Sequence, residues 1–296
     1  RFQLLLLPYT LCLIAGFGLV LAPALWSTCS IRPLASVRRD TIVFWGAVAF
    51  EGLTLALFIA QARKYAGFGY ELSAPIVILV FGLIFGVLAL VFRADRHRGP
   101  GRLLLAFACG AHGLVAAGSI VSFPLHPGRS DMLPLIVSAS ERLLSGQSPY
   151  ALHNLPHAVP LTYLPAVWLR LDPRVVQLAT TVGAVVLAVQ AAPRERRSTA
   201  SVLGAFFLLT PYLQYRHEIY LGVHWLTLAC LVFFESRGQH RLAALAFGWG
   251  LAASQFSWVL VPLYLTYIWR SRGPRACLAA AGLAATVALA LVLPFL

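Results

Sequence analysis

Residues 124–165 read PLHPGRSDMLPLIVSASERLLSGQSPYALHNLPHAVPLTYLP, a polar interruption in a chain that is otherwise almost continuously apolar. The stretch gathers Arg129, Asp131, Arg142, Tyr150 and Tyr163 with three histidines, His126, His153 and His157. Apolar segments of membrane-crossing length lie on both sides of it, so the stretch is where chemistry is expected and the rest is expected to be scaffold.

Working outward, hydrophobic residues make up 59% of the 296 positions and charged residues 11%, with a mean hydropathy of +0.80. That balance is far from a soluble globular domain and predicts an all-α, polytopic integral membrane protein. A helix needs about 20 apolar residues to cross the hydrocarbon core. Spans of that kind are expected near 4–26, 42–62, 74–92, 103–123, 174–192 and 276–293. Shorter helices are expected at 199–214, 221–236, 242–253 and 257–269, about ten hydrophobic helices in all. The segments 242–253 and 257–269 are too short to cross alone and read as a helical hairpin buried among neighbours, where protein satisfies the backbone. The chain opens on Arg1 and stops in the apolar LVLPFL, which reads as a fragment, truncated at its C-terminus.

Lysine and arginine mark the cytoplasmic side of short membrane loops. Alternate loops carry Arg32, Arg38, Arg39; Arg93, Arg96, Arg98, Arg102; Arg194, Arg196, Arg197; Arg237, Arg241; and Arg270, Arg272, Arg275, fifteen of the 23 basic residues. The polar stretch with Asp131 is therefore expected outside the cytoplasm. The net charge of +13 is a topology signal, spread over short loops rather than gathered on a nucleic-acid-binding face. Cys12, Cys29, Cys109, Cys230 and Cys277 lie in or beside apolar segments without metal-ligand spacing. Pro156 interrupts any helical pairing of His153 with His157. No metal or cofactor is expected.

Within the stretch, Ile136, Val137, Leu143 and Leu144 fall on one face of a helix, and Gly146 followed by Pro149 supplies its stop. A short amphipathic helix on the outer membrane surface is expected. A second such element is expected where Pro165 and Pro173 bracket Trp168, and together the two would roof a cavity between the spans. Arg174 is expected at the exposed membrane interface.

An acid just past a span, a short helix ending in LLSGQSPY, and LTYLP entering the next span resemble the first extracytoplasmic loop of the GT-C superfamily of membrane glycosyltransferases, in its bacterial polyprenyl-phosphate-mannose-dependent branch. RLAALAFGWGLAASQFSWVLVPLYL resembles that group's short helix, polar turn and proline-containing return. The resemblance covers about residues 103–296, a catalytic membrane core, and leaves 1–102 outside it as N-terminal membrane helices. Leu135 and Ile136 stand where aromatics often follow the acid, and Ser254 stands where a lysine usually precedes Gln255.

The resemblance implies transfer of a sugar, with inversion, from a polyprenyl-phosphate carrier to a glycan or glycolipid acceptor, outside a bacterial cytoplasmic membrane. Asp131 matches the family's catalytic acid. A carboxylate near a low-dielectric boundary can accept a proton from an attacking hydroxyl; an aspartate there can also simply cap a helix. Glu218, in YRHEIYLG, is a candidate second carboxylate or the ion-pair partner of Arg216. Arg129 and Arg216 are candidates for gripping the lipid phosphate through paired N–H donors. Tyr150, Tyr163, His217 and Gln255 complete the candidate substrate contacts. Glu51 and His112, ionisable groups within expected spans, keep a transporter as the rival reading, and a non-catalytic assembly subunit is a second rival.

Overall fold

The computed structural model describes residues 105–106, 108–113, 116–117, 120, 125, 132–149, 158–209 and 221–293. Their regular structure is entirely helical. The expected spans before residue 103 and the division at 102 lie outside the described residues, and only parts of the expected 103–123 span fall within them.

Helix α1 (Met132–Leu144) turns Leu133, Ile136, Ala139 and Ser140 inward. This corrects the expected face: Ile136 belongs to it, but Leu144 is 46% exposed. The rotation follows from what α1 packs on. It lies against α2 (Ala158–Trp168), and Ser140 Oγ is 2.8 Å from Ile136 O and 3.0 Å from Pro160 O across the contact. The stop at Gly146 is as expected. With φ at 69°, Gly146 N–H donates to Leu143 O at 3.0 Å and Gln147 N–H to Arg142 O at 2.8 Å, the paired bonds that close a helix through a left-handed residue.

Pro165 does not bound the second element but sits inside α2. The helix ends instead at Trp168 and is closed by Arg170, whose φ is 55°, with Arg170 N–H donating to Val167 O and Leu171 N–H to Ala166 O. A side chain in that left-handed position costs about 1–2 kcal/mol.

Helix α3 (Arg174–Ala191) leads through a 3-10 turn, Arg194–Arg196, into α4 (Arg197–Leu209). Then come α5 (Leu221–Ser236), α6 (His240–Ala253), a 3-10 segment at Gln255–Leu260, α7 (Val261–Arg272) and α8 (Pro274–Val292). Among the described residues, α3 and α8 are long and apolar enough to cross a membrane.

Small residues set the helix directions. A Cβ on Gly222 would strike Thr180 Oγ1, and one on Gly183 would meet Leu226 Cδ1 at 3.4 Å, so α3 and α5 run parallel in close contact. Gly250 faces Thr227 while Glu235 reaches His240, so α6 returns antiparallel to α5. Gly248 lies on Ala284, with Ala243 and Ala244 clustered with Cys277 and Ala280, so α8 runs parallel to α6.

The turns bearing Arg194–Arg197, Arg237–Arg241 and Arg270–Arg275 consequently share one end of the bundle. The α1–α2 hairpin occupies the other. Its Leu133, Ile136, Ala158, Val159 and Tyr163 form one core with Val223 at the start of α5, Ala252 and Ala253 at the end of α6, and Leu291 and Val292 of α8. The expected buried hairpin 242–253/257–269 holds for α6 only. Helix α7 buries Tyr264 and Ile268 but leaves Leu263 and Trp269 more than half exposed, because its inner side alone meets α6 and α8.

Candidate functional site

The hairpin end of the bundle is held by three buried polar junctions. The first forms where α2, α3 and the first turn of α5 converge. Tyr163 of α2 is fully buried, and its hydroxyl donates to Gln177 Oε1 at 3.2 Å. The same oxygen accepts Gly222 N–H at 3.3 Å, and Gln177 Nε2 donates to Thr181 Oγ1 at 3.4 Å. Gly222 N–H is among the amides at a helix start that have no carbonyl within their own helix, and Gln177 satisfies it from another helix. Burial pushes the Tyr163 phenol above its ordinary pKa, so it remains a neutral donor to the amide.

The second junction ties the same turn of α5 to the α6–α7 connection. His224 Nδ1 and Ser257 Oγ are 3.0 Å apart, and both residues are buried. Either the serine hydroxyl or the imidazole N–H donates, according to the tautomer. Thr227 Oγ1 donates to His224 O at 2.8 Å, and a Cβ on Gly250 would lie 3.0 Å from Thr227 Oγ1 and 3.3 Å from Ser257 Oγ. A hydroxyl beside an imidazole resembles a nucleophile and its base, but Ser257 is fully enclosed. The pair acts as a tie between α5 and the connection.

The third junction overturns an expectation. Arg174 is 1% exposed rather than at an exposed interface. Asp172 Oδ1 accepts its backbone N–H and its Nε, each at 2.9 Å, and Asp172 Oδ2 accepts Nη2 at 2.6 Å. Nη2 is also 3.4 Å from Ile120 O. A charge can be buried in this way because the carboxylate and the carbonyl replace its water.

Of the sequence-derived candidates, Tyr163 and Gln255 are described. Tyr163 is a fully buried core residue whose hydroxyl is engaged with Gln177. Gln255 is exposed in the 3-10 segment between α6 and α7, while its neighbours Ser254 and Ser257 point inward. Arg129, Asp131, Tyr150, Arg216, His217 and Glu218, together with His126, His153, His157 and Glu51, lie outside the described residues. His112 is buried.

Sequence reasoning missed Gln177, His224, Ser257 and the Asp172–Arg174 pair. The available signal was polarity inside apolar segments: Gln177, Thr180 and Thr181 interrupt the 174–192 run, and His224 interrupts 221–236. It also missed Glu235 at the opposite end, where Oε1 accepts from Tyr264 Oη and from Arg272 Nη2, each at 2.8 Å, and Oε2 meets His240 Nδ1 at 2.8 Å. That carboxylate knots α5, α6 and α7 together beside the basic turns. Among the described residues, no three His, Cys, Asp or Glu side chains gather where a metal could bind.

No protein-family model, curated protein or solved structure matches this chain.

Proposed function

We propose that the chain is the core of a GT-C-like glycosyltransferase with about ten hydrophobic helices in a bacterial cytoplasmic membrane. It moves a sugar, mannose being the one the resemblance implies, from a polyprenyl-phosphate carrier to a glycan or glycolipid acceptor on the outer face. The observation that carries this reading is the α1–α2 hairpin. Its helices α1 and α2, both drawn from the polar stretch, pack onto the ends of α5, α6 and α8, at the end opposite the basic turns. In the proposed setting this hairpin is the water-facing roof that a reaction between a lipid-borne donor and a polar acceptor requires.

The candidate reacting groups stand next to described helices in the chain. Asp131 immediately precedes α1. Glu218 is three residues before Leu221, a chain reach of about 10 Å from the turn that Gln177 holds. In the proposed step Asp131 takes the proton of the acceptor hydroxyl as its oxygen bonds to the anomeric carbon. The bond from that carbon to the carrier phosphate breaks on the opposite face, and the lipid phosphate leaves as an anion beside Arg216. Inversion follows from the single displacement.

The test is incubation of purified full-length protein, in lipid nanodiscs, with polyprenyl-phosphate sugars and a panel of glycolipid acceptors. Transfer is expected with the wild type, and Asp131→Asn should lower turnover by about 10²- to 10⁴-fold while the protein remains folded. Absence of transfer from every donor, or full activity of Asp131→Asn, overturns the respective claim. Movement of the sugar across vesicles without transfer establishes the transporter instead.

A further inference from the structure

We infer that Gln177 is a positioning residue for the proposed transfer: its buried amide couples the α1–α2 roof to the start of α5, the helix that follows Arg216, His217 and Glu218 in the chain. The inference rests on the proposed glycosyltransferase reading for its kinetic consequence, but its structural part stands separately.

The argument begins with one oxygen. Gln177 Oε1 accepts from Tyr163 Oη, fourteen residues away, and from Gly222 N–H, forty-five residues away. An amide oxygen has two lone pairs, so both are used and the two distant segments share one acceptor. The third bond, from Nε2 to Thr181 Oγ1, fixes the rotation of the amide and hence which atom faces the two donors. Gly222 makes the approach possible, because a Cβ there would lie 2.9 Å from Gln177 Oε1 and 2.9 Å from Thr181 Oγ1, besides striking Thr180 Oγ1.

The site is buried, and neither donor is left to water when the oxygen is removed. Tyr163 is 0% exposed and Gln177 5%. Losing the acceptor therefore drives the start of α5 or the Tyr163 ring to move in search of another partner. Small displacements of groups flanking a reaction centre reduce turnover strongly. A Gln177 that merely filled space would be replaced by leucine with little consequence beyond stability.

Three variants of the full-length protein in nanodiscs test this: Gln177→Leu, Tyr163→Phe and the double variant. The first readout is amide hydrogen exchange over residues 221–226, with α8 as the internal reference. Gln177→Leu should speed exchange there by about tenfold or more and leave α8 unchanged. The second readout is kinetics per folded molecule. Gln177→Leu should lower kcat by about tenfold with the donor KM within about threefold of wild type, since misalignment acts on the transition state more than on ground-state binding. Tyr163→Phe should give a smaller loss of the same kind. The double variant should lose no more than Gln177→Leu alone, because both act through one acceptor.

Unchanged exchange at 221–226, or additive losses in the double variant, overturns the inference. A wild type that transfers no sugar overturns the proposed function alone, and the exchange result then decides the coupling by itself. If Gln177→Leu is not recovered folded, Tyr163→Phe carries the exchange test, with acceleration over 158–168 expected and no change overturning the coupling.

Discussion

Asp172 holds Arg174 with both carboxylate oxygens, at 2.9 Å to Nε and 2.6 Å to Nη2, in a pair whose arginine is almost wholly enclosed. The two residues stand two positions apart at the turn from α2 into α3, so the pair also fixes how the roof enters the bundle. Removing one partner of a buried pair leaves an uncompensated charge, at about 3–5 kcal/mol. Asp172→Asn and Arg174→Lys should both destabilise, the lysine because an ammonium cannot reproduce the guanidinium fork. Denaturant or thermal unfolding in detergent decides the point: a change at both positions no larger than that of an exposed substitution would show the pair to be incidental.

Close approach of α6 and α8 gives a second expectation. A Cβ at Gly248 would lie 2.5 Å from Ala284 O, a backbone atom that cannot swing aside, whereas one at Gly282 would meet nothing within 4 Å. Gly248→Ala should force the helices apart, with the about 1–3 kcal/mol penalty of overpacking. Gly282→Ala should be neutral or stabilising by up to about 1 kcal/mol, since alanine is the better helix former. Equal melting temperatures for the two variants would contradict the α6–α8 contact.

Orientation in the membrane is testable at exposed positions on opposite ends of the bundle. A cysteine at Glu141 of α1 should react with a membrane-impermeant thiol reagent in intact cells, and one at Ser198 of α4 should react only after permeabilisation. The expectation follows from the basic turns at the Ser198 end. The reverse labelling pattern would put the roof in the cytoplasm and remove the proposed mechanism with it.

Phosphate recognition separates from general positive charge by comparing two arginines. Arg216→Lys removes paired N–H donors from the proposed phosphate contact and should lower kcat/KM for the lipid donor by about tenfold to a hundredfold, the equivalent of one charged hydrogen bond. Arg170→Lys, at an exposed turn, is the control and should change little. Arg174 cannot serve as that control, because its substitution disturbs the ion pair with Asp172. Equal, small effects at Arg216 and Arg170 over a donor titration would reduce Arg216 to a headgroup contact.

Local rules carry far in this chain. The apolar run from Arg174 into the 180s, the run at 276–293, the stop at Gly146 and the basic spacing of the turns all predict what the described helices do. Each depends on a residue and its near neighbours: length of apolar chain, a φ open to glycine, or a charge that stays in water. The candidate site was less legible. Of its proposed contacts, Tyr163 lies inside the core and Gln255 is exposed, a difference set by the side of each helical segment that meets the bundle.

What the amino-acid sequence determined by itself was a strongly apolar chain interrupted by one long polar stretch, with basic residues at regular intervals, and the helical character that the described residues show. What only the tertiary structure decided was the rotation of each helix and the partner of each buried polar group. Rotation turned Leu144 outward and Ser140 onto Pro160, ran α2 through Pro165, and closed Asp172 over Arg174. It also joined Gln177 to Gly222 and His224 to Ser257, residues 45 and 33 positions apart. The physical reason is that a hydrogen bond across two helices needs both axes within contact and both side chains on the facing sides. That depends on close approach at Gly222 and Gly250, which the packing of the whole bundle sets and no local periodicity records.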